Sequence, residues 1–211
     1  METTNRQFIV MPDFYYLKEQ NLKYLDILIY LSIRSFNNQD SKQCFPSYET
    51  IAARCGASRK FVIEAIGRLE KAGHLKVVRS TIKHVSNKYY FPAIKHFEAI
   101  PTTLLSADLT IYQKAMLALL RTFFVHGKLQ TVDTVTQMAK KLGLSYNVVK
   151  AQYDNLRDKG YISERQVFSS NNDNGLIYRT LTNKLNWNID FTNKSTIGDV
   201  TKLHPTVLRI A

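Results

Sequence analysis

The sequence predicts a mainly α chain with small β-hairpins, built from two copies of one helical unit, and three observations carry that expectation. The first is an internal repeat. Shifting the 211-residue sequence by 87 positions aligns 45–75 with 132–162 without a gap and superposes Ala52 on Ala139, Gly56 on Gly143, Ser58 on Ser145, Val62 on Val149, Leu69 on Leu156 and Gly73 on Gly160. The same shift pairs Arg34 with Arg121 and Phe36 with Phe123, inside apolar helix-like runs at Tyr24–Phe36 and Ile111–Phe124. The second is apolar residues at helical spacing within each copy, bounded by capping residues and glycine stops. The third is a pair of short strand-like runs after each copy.

Each element follows from these signals in chain order. In copy one, Ser47 is expected to cap a short helix over Ser47–Cys55 that turns Ile51 and Ala52 inward. Gly56 then supplies a left-handed residue that lets the chain reverse steeply. Ser58 caps the next helix, whose buried stripe is Val62, Ala65, Ile66 and Leu69, and Gly73 ends it. Copy two repeats the plan with Thr134 as cap, Met138 and Ala139 inward, Gly143 at the turn, Ser145 as cap, Val149, Tyr153 and Leu156 buried, and Gly160 as stop. A hairpin follows each copy: Leu75–Ser80 returns through Lys88–Phe91, and Tyr161–Phe168 through Leu176–Leu181, with Asn174-Gly175 as a turn signal. Helix, helix, turn, helix and hairpin is the winged helix-turn-helix order, so the expected architecture is tandem winged helix-turn-helix domains. Pro92 and Pro101 bracket an expected connector around Lys95–Thr103. The expected units are 13–98 and 105–190, with 191–211 as a C-terminal arm or tail.

Composition narrows the partner. With 45% hydrophobic and 11% aromatic residues the chain can bury a real core, while 29 Lys+Arg against 17 Asp+Glu give a net charge of +12 and favour a polyanion. The excess is concentrated: between Arg54 and Lys95 ten Lys or Arg stand against Glu64 and Glu70 alone. Interleaved Val, Ile, Leu and Tyr mark that stretch as a folded basic surface rather than a basic tail. Cys44 and Cys55 have no spaced partners and the five histidines show no ligand spacing, so neither a metal nor a cofactor is expected. No apolar run approaches the ~18 residues of a membrane span, and the N-terminus lacks a leader pattern; the expected location is the cytoplasm, with no membrane partner.

The run Phe45-Pro-Ser-Tyr-Glu-Thr-Ile-Ala-Ala-Arg-Cys-Gly-Ala-Ser-Arg-Lys-Phe-Val, ending in Arg68-Leu-Glu-Lys-Ala-Gly-His-Leu, resembles the winged-helix domain of plasmid and phage replication initiators, replisome organisers and related regulators. That family reads Pro-Ser, an Ile/Leu-Ala pair, Gly-x-Ser-Arg-Arg and Leu-Glu-x-x-Gly. The resemblance covers about 22–91 and implies the fold and double-stranded DNA as partner. Copy two departs from it, with Tyr146-Asn147 at the basic positions.

A helix of this kind enters the major groove with its first turns, so side chains opposite the buried stripe are the candidate contacts. In copy one these are Ser58, Arg59, Lys60, Phe61, Glu64, Gly67 and Arg68, with Ile63 as an apolar alternative and Ser47 and Tyr48 at the start of the preceding helix. Arg59 and Lys60 suit guanine O6/N7 or phosphate, Glu64 suits cytosine N4, and Phe61 either meets a thymine methyl or packs on a neighbouring helix. The first wing adds Arg79, Lys83, His84 and Lys88. Copy two offers Ser145, Tyr146, Asn147, Lys150 and Asp154, with Asn147 suited to adenine, and a wing tip without Lys or Arg. Tyr89, Tyr90 and Tyr178 are expected to pack on the helices, and Arg34 and Arg121 to make either a phosphate contact or a buried ion pair. No phosphate loop, Cys/His pair or nucleophile elbow is present, so no enzyme is expected. Replication initiator or replisome organiser of a mobile element is the first expectation and transcriptional regulator of such an element the second. A third is a unit that binds protein, copy two being the candidate. A homodimer or a replication or transcription partner stays open.

Overall fold

The apolar run at 24–36 folds into α1 (Asp26–Arg34), every residue of which is buried. A helix apolar all round needs neighbours on all sides. Helix α1 has them in α2 (Tyr48–Cys55), α3 (Arg59–Lys71) and α4 (Ile111–Arg121), and it also touches β1 (Phe8–Pro12). The computed structural model describes residues 8–38, 43–82, 85–125, 127–169 and 172–187.

The helix-turn-helix of copy one forms as its capping chemistry dictates. Ser47 and Ser58 accept from the backbone N–H groups of Thr50 and Phe61, which starts α2 and α3. Between them Gly56 adopts φ +73°, the left-handed conformation that closes a helix and turns the chain at little steric cost. Val62, Ala65, Ile66 and Leu69 are all buried along α3. Strands β2 (Lys76–Val78) and β3 (Lys88–Tyr90) then pair antiparallel, Val77 opposite Tyr89, with both of these buried. Tyr90, expected to pack on the helices, is exposed instead: in so short a hairpin, alternation sends the neighbour of a buried residue outward.

The same element order recurs downstream. Helix α5 (Val135–Leu142), capped by Thr134, ends at Gly143 with φ +68°, and α6 (Tyr146–Asp158), capped by Ser145, buries Val149, Tyr153 and Leu156. Strands β6 (Ile162–Ser169) and β7 (Asn172–Leu181) form the second hairpin, and the two-residue β5 (Gln130–Thr131) pairs on the far side of β7. The turn expected at Asn174-Gly175 is not there. Pairing continues to Ser169 opposite Asn172, and the register slips between Val167 and Ser169, so Gly175 (φ +68°) serves an irregularity inside β7 rather than the reversal.

The stretch around 95–103, expected to be a connector, holds β4 (Phe97–Pro101), which pairs antiparallel with β1. The register places Phe8 opposite Pro101, Val10 opposite Ala99 and Pro12 opposite Phe97. Phe8 and Phe97 are 89 residues apart, as are Pro12 and Pro101. The ladder therefore maps onto itself by a half-turn through Val10 and Ala99, as an isologous dimer interface does. Sequence reasoning missed the strands, although this repeated Phe-x-x-x-Pro, offset two residues from the main repeat, announced them.

One continuous cluster of buried side chains runs through both copies. Around it, Tyr16 and Leu17 donate their backbone N–H groups to the carbonyls of Lys141 and Leu142 at the end of α5, at 3.0 and 2.9 Å. The Arg121 guanidinium lies 3.1 Å from the Glu98 carboxylate, both side chains nearly sealed from water. The two copies share a core rather than hanging on a linker. The expected tail at 191–211 lies outside the described residues.

Candidate nucleic-acid interface

Beginning at the first turn of α3, the structure leaves a small polar surface open beside Gly56. Arg59 and Lys60 are exposed there, and Lys60 makes no ion pair among the described residues. Arg59 donates through Nε to Glu49 Oε1 at 2.5 Å and lies 5.5 Å from the centre of the Tyr48 ring. The guanidinium holds the Glu49 carboxyl below the usual carboxylate range. Both partners are open to water, so solvent screens this link and it yields readily to a phosphate or a base. Tyr48 in turn accepts from the Asn87 amide at 2.7 Å. Its hydroxyl thereby ties the start of α2 to the base of the wing, so the wing and the first turn of α3 share one surface.

The remaining expected contacts divide by what holds them. The Ser47, Ser58 and Ser145 hydroxyls are engaged as helix caps. Glu64 is exposed on the outer face of α3, and Phe61 is half-buried beneath the Arg68 guanidinium, 5.5 Å away. Arg79 makes a two-point contact with Glu70, 2.6 and 3.3 Å, which raises the arginine's affinity for its proton and lowers the carboxyl's. Lys88 is exposed opposite Val78. Lys83 and His84 lie outside the described residues.

Arg68 requires a correction. Expected on the outward face, it turns back on α1 and donates from Nε and Nη2 to both oxygens of Asp26, at 2.8 and 2.7 Å. Asp26 is fully buried and also accepts from the Lys23 backbone N–H. A buried carboxylate demands such a partner. The pair clamps α3 to the start of α1, and Arg68 is structural. Asp26 was missed by sequence reasoning; an acidic residue opening an otherwise apolar helix was the available signal.

The recurring arginines resolve in the same direction. Arg34 donates to the Tyr30 hydroxyl at 2.8 Å and stacks 4.6 Å over Phe91, while Arg121 is paired with Glu98. Both are buried, which removes them from phosphate contact.

Copy two presents a different face. Tyr146 and Asn147 are exposed at the first turn of α6, as expected. Lys150, however, is ion-paired with Asp154, and Arg157 with Asp154 and Asp158, so the cations of α6 are neutralised along the helix. At the first turn of α3, Arg59 is paired with the exposed Glu49 of α2, and Lys60 has no ion pair among the described residues. The second hairpin is apolar towards its end: Val167, Phe168, Leu176 and Ile177 are all exposed.

Among the described residues no group of histidine, cysteine or acidic side chains fits a metal ion, and no helix is long and apolar enough to cross a membrane. A family model described as a helix-turn-helix domain matches residues 20–75, the stretch that holds α1, α2 and α3. No curated protein and no solved structure matches the chain. Caps, left-handed turn and the match at 20–75 together make the first three helices a helix-turn-helix domain, of the kind that binds DNA.

Proposed function

We propose that the chain is a sequence-specific double-stranded-DNA-binding protein with tandem winged helix-turn-helix units, a binder and not an enzyme, which serves as replication initiator or replisome organiser of a plasmid, phage or other mobile element. The observation that carries the DNA-binding part is the exposed first turn of α3, with Arg59 and Lys60 standing free of any buried commitment inside the matched helix-turn-helix. Arginine and lysine at that position reach guanine O6/N7, and a good two-point contact discriminates by about 1–3 kcal/mol. The replication role rests on the motif resemblance at 22–91. A transcriptional regulator with the same architecture is the alternative, favoured by promoter occupancy without change in copy number.

The β1–β4 ladder adds geometry. The ladder maps onto itself by a half-turn, and we extend that half-turn to the two units, so that α3 and α6 docked on one duplex read half-sites that run in opposite directions. Successive major grooves on one side of the duplex are about 10 base pairs apart, so the half-sites should lie one turn or a multiple apart. The two helices differ in sequence, so the half-sites differ too. Selection of bound duplexes from a random pool tests this: an inverted, unequal pair of motifs supports it, and two motifs in the same direction contradict it.

A second reading holds for copy two alone. The neutralised charges of α6 and the exposed apolar residues of the second hairpin favour a protein partner over phosphate. A footprint confined to the half-site of α3 is its expected signature.

A further inference from the structure

The outward face of α3 holds a residue that the helix itself does not favour. Gly67 is the ninth of the thirteen residues of α3, in the interior, where glycine is the weakest helix former after proline. The ordinary reasons for a glycine fail there. Its backbone is not left-handed, unlike that of Gly56 or Gly73. It is not pressed by a neighbour: apart from the helix's own backbone, nothing among the described residues lies within 4 Å of where a Cβ would stand. Nor does the fold require it, because the 87-residue shift places Asp154 at the same point of α6, and there a side chain is accommodated, ion-paired with Lys150 and Arg157. A glycine with no use inside the molecule marks a close approach from outside.

The neighbours of Gly67 say what approaches. At 3.6 residues per turn, Lys60, Glu64, Gly67 and Lys71 share one face, opposite the buried Val62, Ala65, Ile66 and Leu69. Lys60 and Lys71 are both exposed and make no ion pair among the described residues. Gly67 stands ~10 Å along the axis from Lys60 and ~6 Å from Lys71, at about 1.5 Å per residue. A bare stretch of helix between two open cations fits a polyanionic strand laid across it. Glu64, the acid of this face, has its carboxylate 3.9 Å from the Arg68 guanidinium, which moderates its repulsion of phosphate.

We propose that Gly67 is the point at which α3 comes closest to the duplex: one sugar–phosphate strand lies against bare helix backbone, and Lys71 takes a phosphate beyond it. The inference rests on the DNA-binding function proposed above and adds a docking mode to it. With a side chain at 67 the helix would enter the groove by its first turns alone; without one it lies along the groove and keeps contact through its third turn. Helix α6, with Asp154 at that point, has no such clearance, so the two helices dock at different depths.

The test is affinity for a duplex selected by the wild-type chain from a random pool, measured beside thermal melts. Gly67→Ala is expected to raise the thermal midpoint by about 2–4 °C, because alanine favours the helix and the space is open, and to weaken binding roughly tenfold, because its methyl meets the strand. Gly67→Leu is expected to melt no lower than wild type and to bind more weakly still. Lys71→Ala is expected to lower the logarithmic salt slope by ~0.9, the value of one phosphate contact. Gly67 variants that bind as wild type does overturn the inference, and so does a lowered midpoint for Gly67→Ala, which would put the cause of the glycine inside the fold. An unchanged salt slope in Lys71→Ala overturns it as well. Failure of the wild-type chain to retain any duplex refutes instead the DNA-binding function itself. Loss of binding in the Arg59→Ala, Lys60→Ala double variant, with both Gly67 variants binding as wild type does, leaves that function standing without the close approach.

Discussion

At the scale of single residues, two arginines on one helix have opposite fates, and burial of the partner decides which. Arg68 faces a carboxylate with no access to water, whereas Arg59 faces one in open solvent. Removing one partner of a buried pair strands the other, at a cost of ~3 kcal/mol. Asp26→Asn is therefore expected to lower the thermal midpoint by about 6–12 °C in a chain of this size, measured by circular dichroism. An unchanged midpoint would show that water reaches the pair. Helical spacing placed Arg68 beside the buried Leu69, at the edge of the outward face; which way its long side chain bends depends on Asp26, 42 positions earlier, and local pattern holds no such information. His74 supplies a pH prediction. Its ring is largely buried against Phe14, and burial pushes its pKa below the ordinary value of 6.5. The unfolded chain then binds the proton first as pH falls, so the stability present above pH 6.5 declines as pH drops through the lowered folded value. His74→Gln, which keeps a hydrogen-bonding group near Gln20, is expected to flatten that decline in thermal melts between neutral and mildly acidic pH.

At the scale of elements, turns and caps were legible because one residue's chemistry decides each of them. Ser47, Ser58, Thr134 and Ser145 cap as their side chains require, and Gly56 and Gly143 take the left-handed conformation that only glycine adopts cheaply. Left-handed glycines still differ in what surrounds them. A Cβ on Gly143 would sit 3.2 Å from the Tyr16 backbone, whereas one on Gly73, also left-handed, meets open space. Gly73→Ala is thus expected to cost about 1–2 kcal/mol from backbone strain alone, and Gly143→Ala clearly more, because the neighbouring backbone must shift as well. Equal losses in urea unfolding would show that Tyr16 and Leu17 do not press on the second turn in solution. Asn174-Gly175 marks the limit of such local signals. The dipeptide suits a tight reversal, but the strands continue to pair past it, and its glycine is absorbed by the register slip. Strand pairing is a longer-range contest than turn preference.

At the scale of the molecule, the pairing of β1 with β4 was hidden because the two strands start 89 residues apart in sequence and each is only five residues long. Its consequence is a shared core, with α1 against α4 and copy one's backbone closing the end of α5. Calorimetry is expected to show one cooperative transition; two resolved transitions would mean that the units fold separately. The shared core also fixes α3 relative to α6, so that whatever α3 binds, α6 meets at a set distance and orientation. All of this places one surface in the central role, the open first turn of α3. The most direct test is a titration of the selected duplex with wild-type chain and with the Arg59→Ala, Lys60→Ala double variant, repeated at several salt concentrations. The expected result is wild-type binding that weakens steeply with salt, with a logarithmic slope of ~0.9 per phosphate contact, and loss of specific binding in the double variant with its melting curve unchanged, since exposed substitutions usually cost less than about 0.5 kcal/mol. A double variant that binds the duplex as wild type does, with the same salt dependence, would contradict the account.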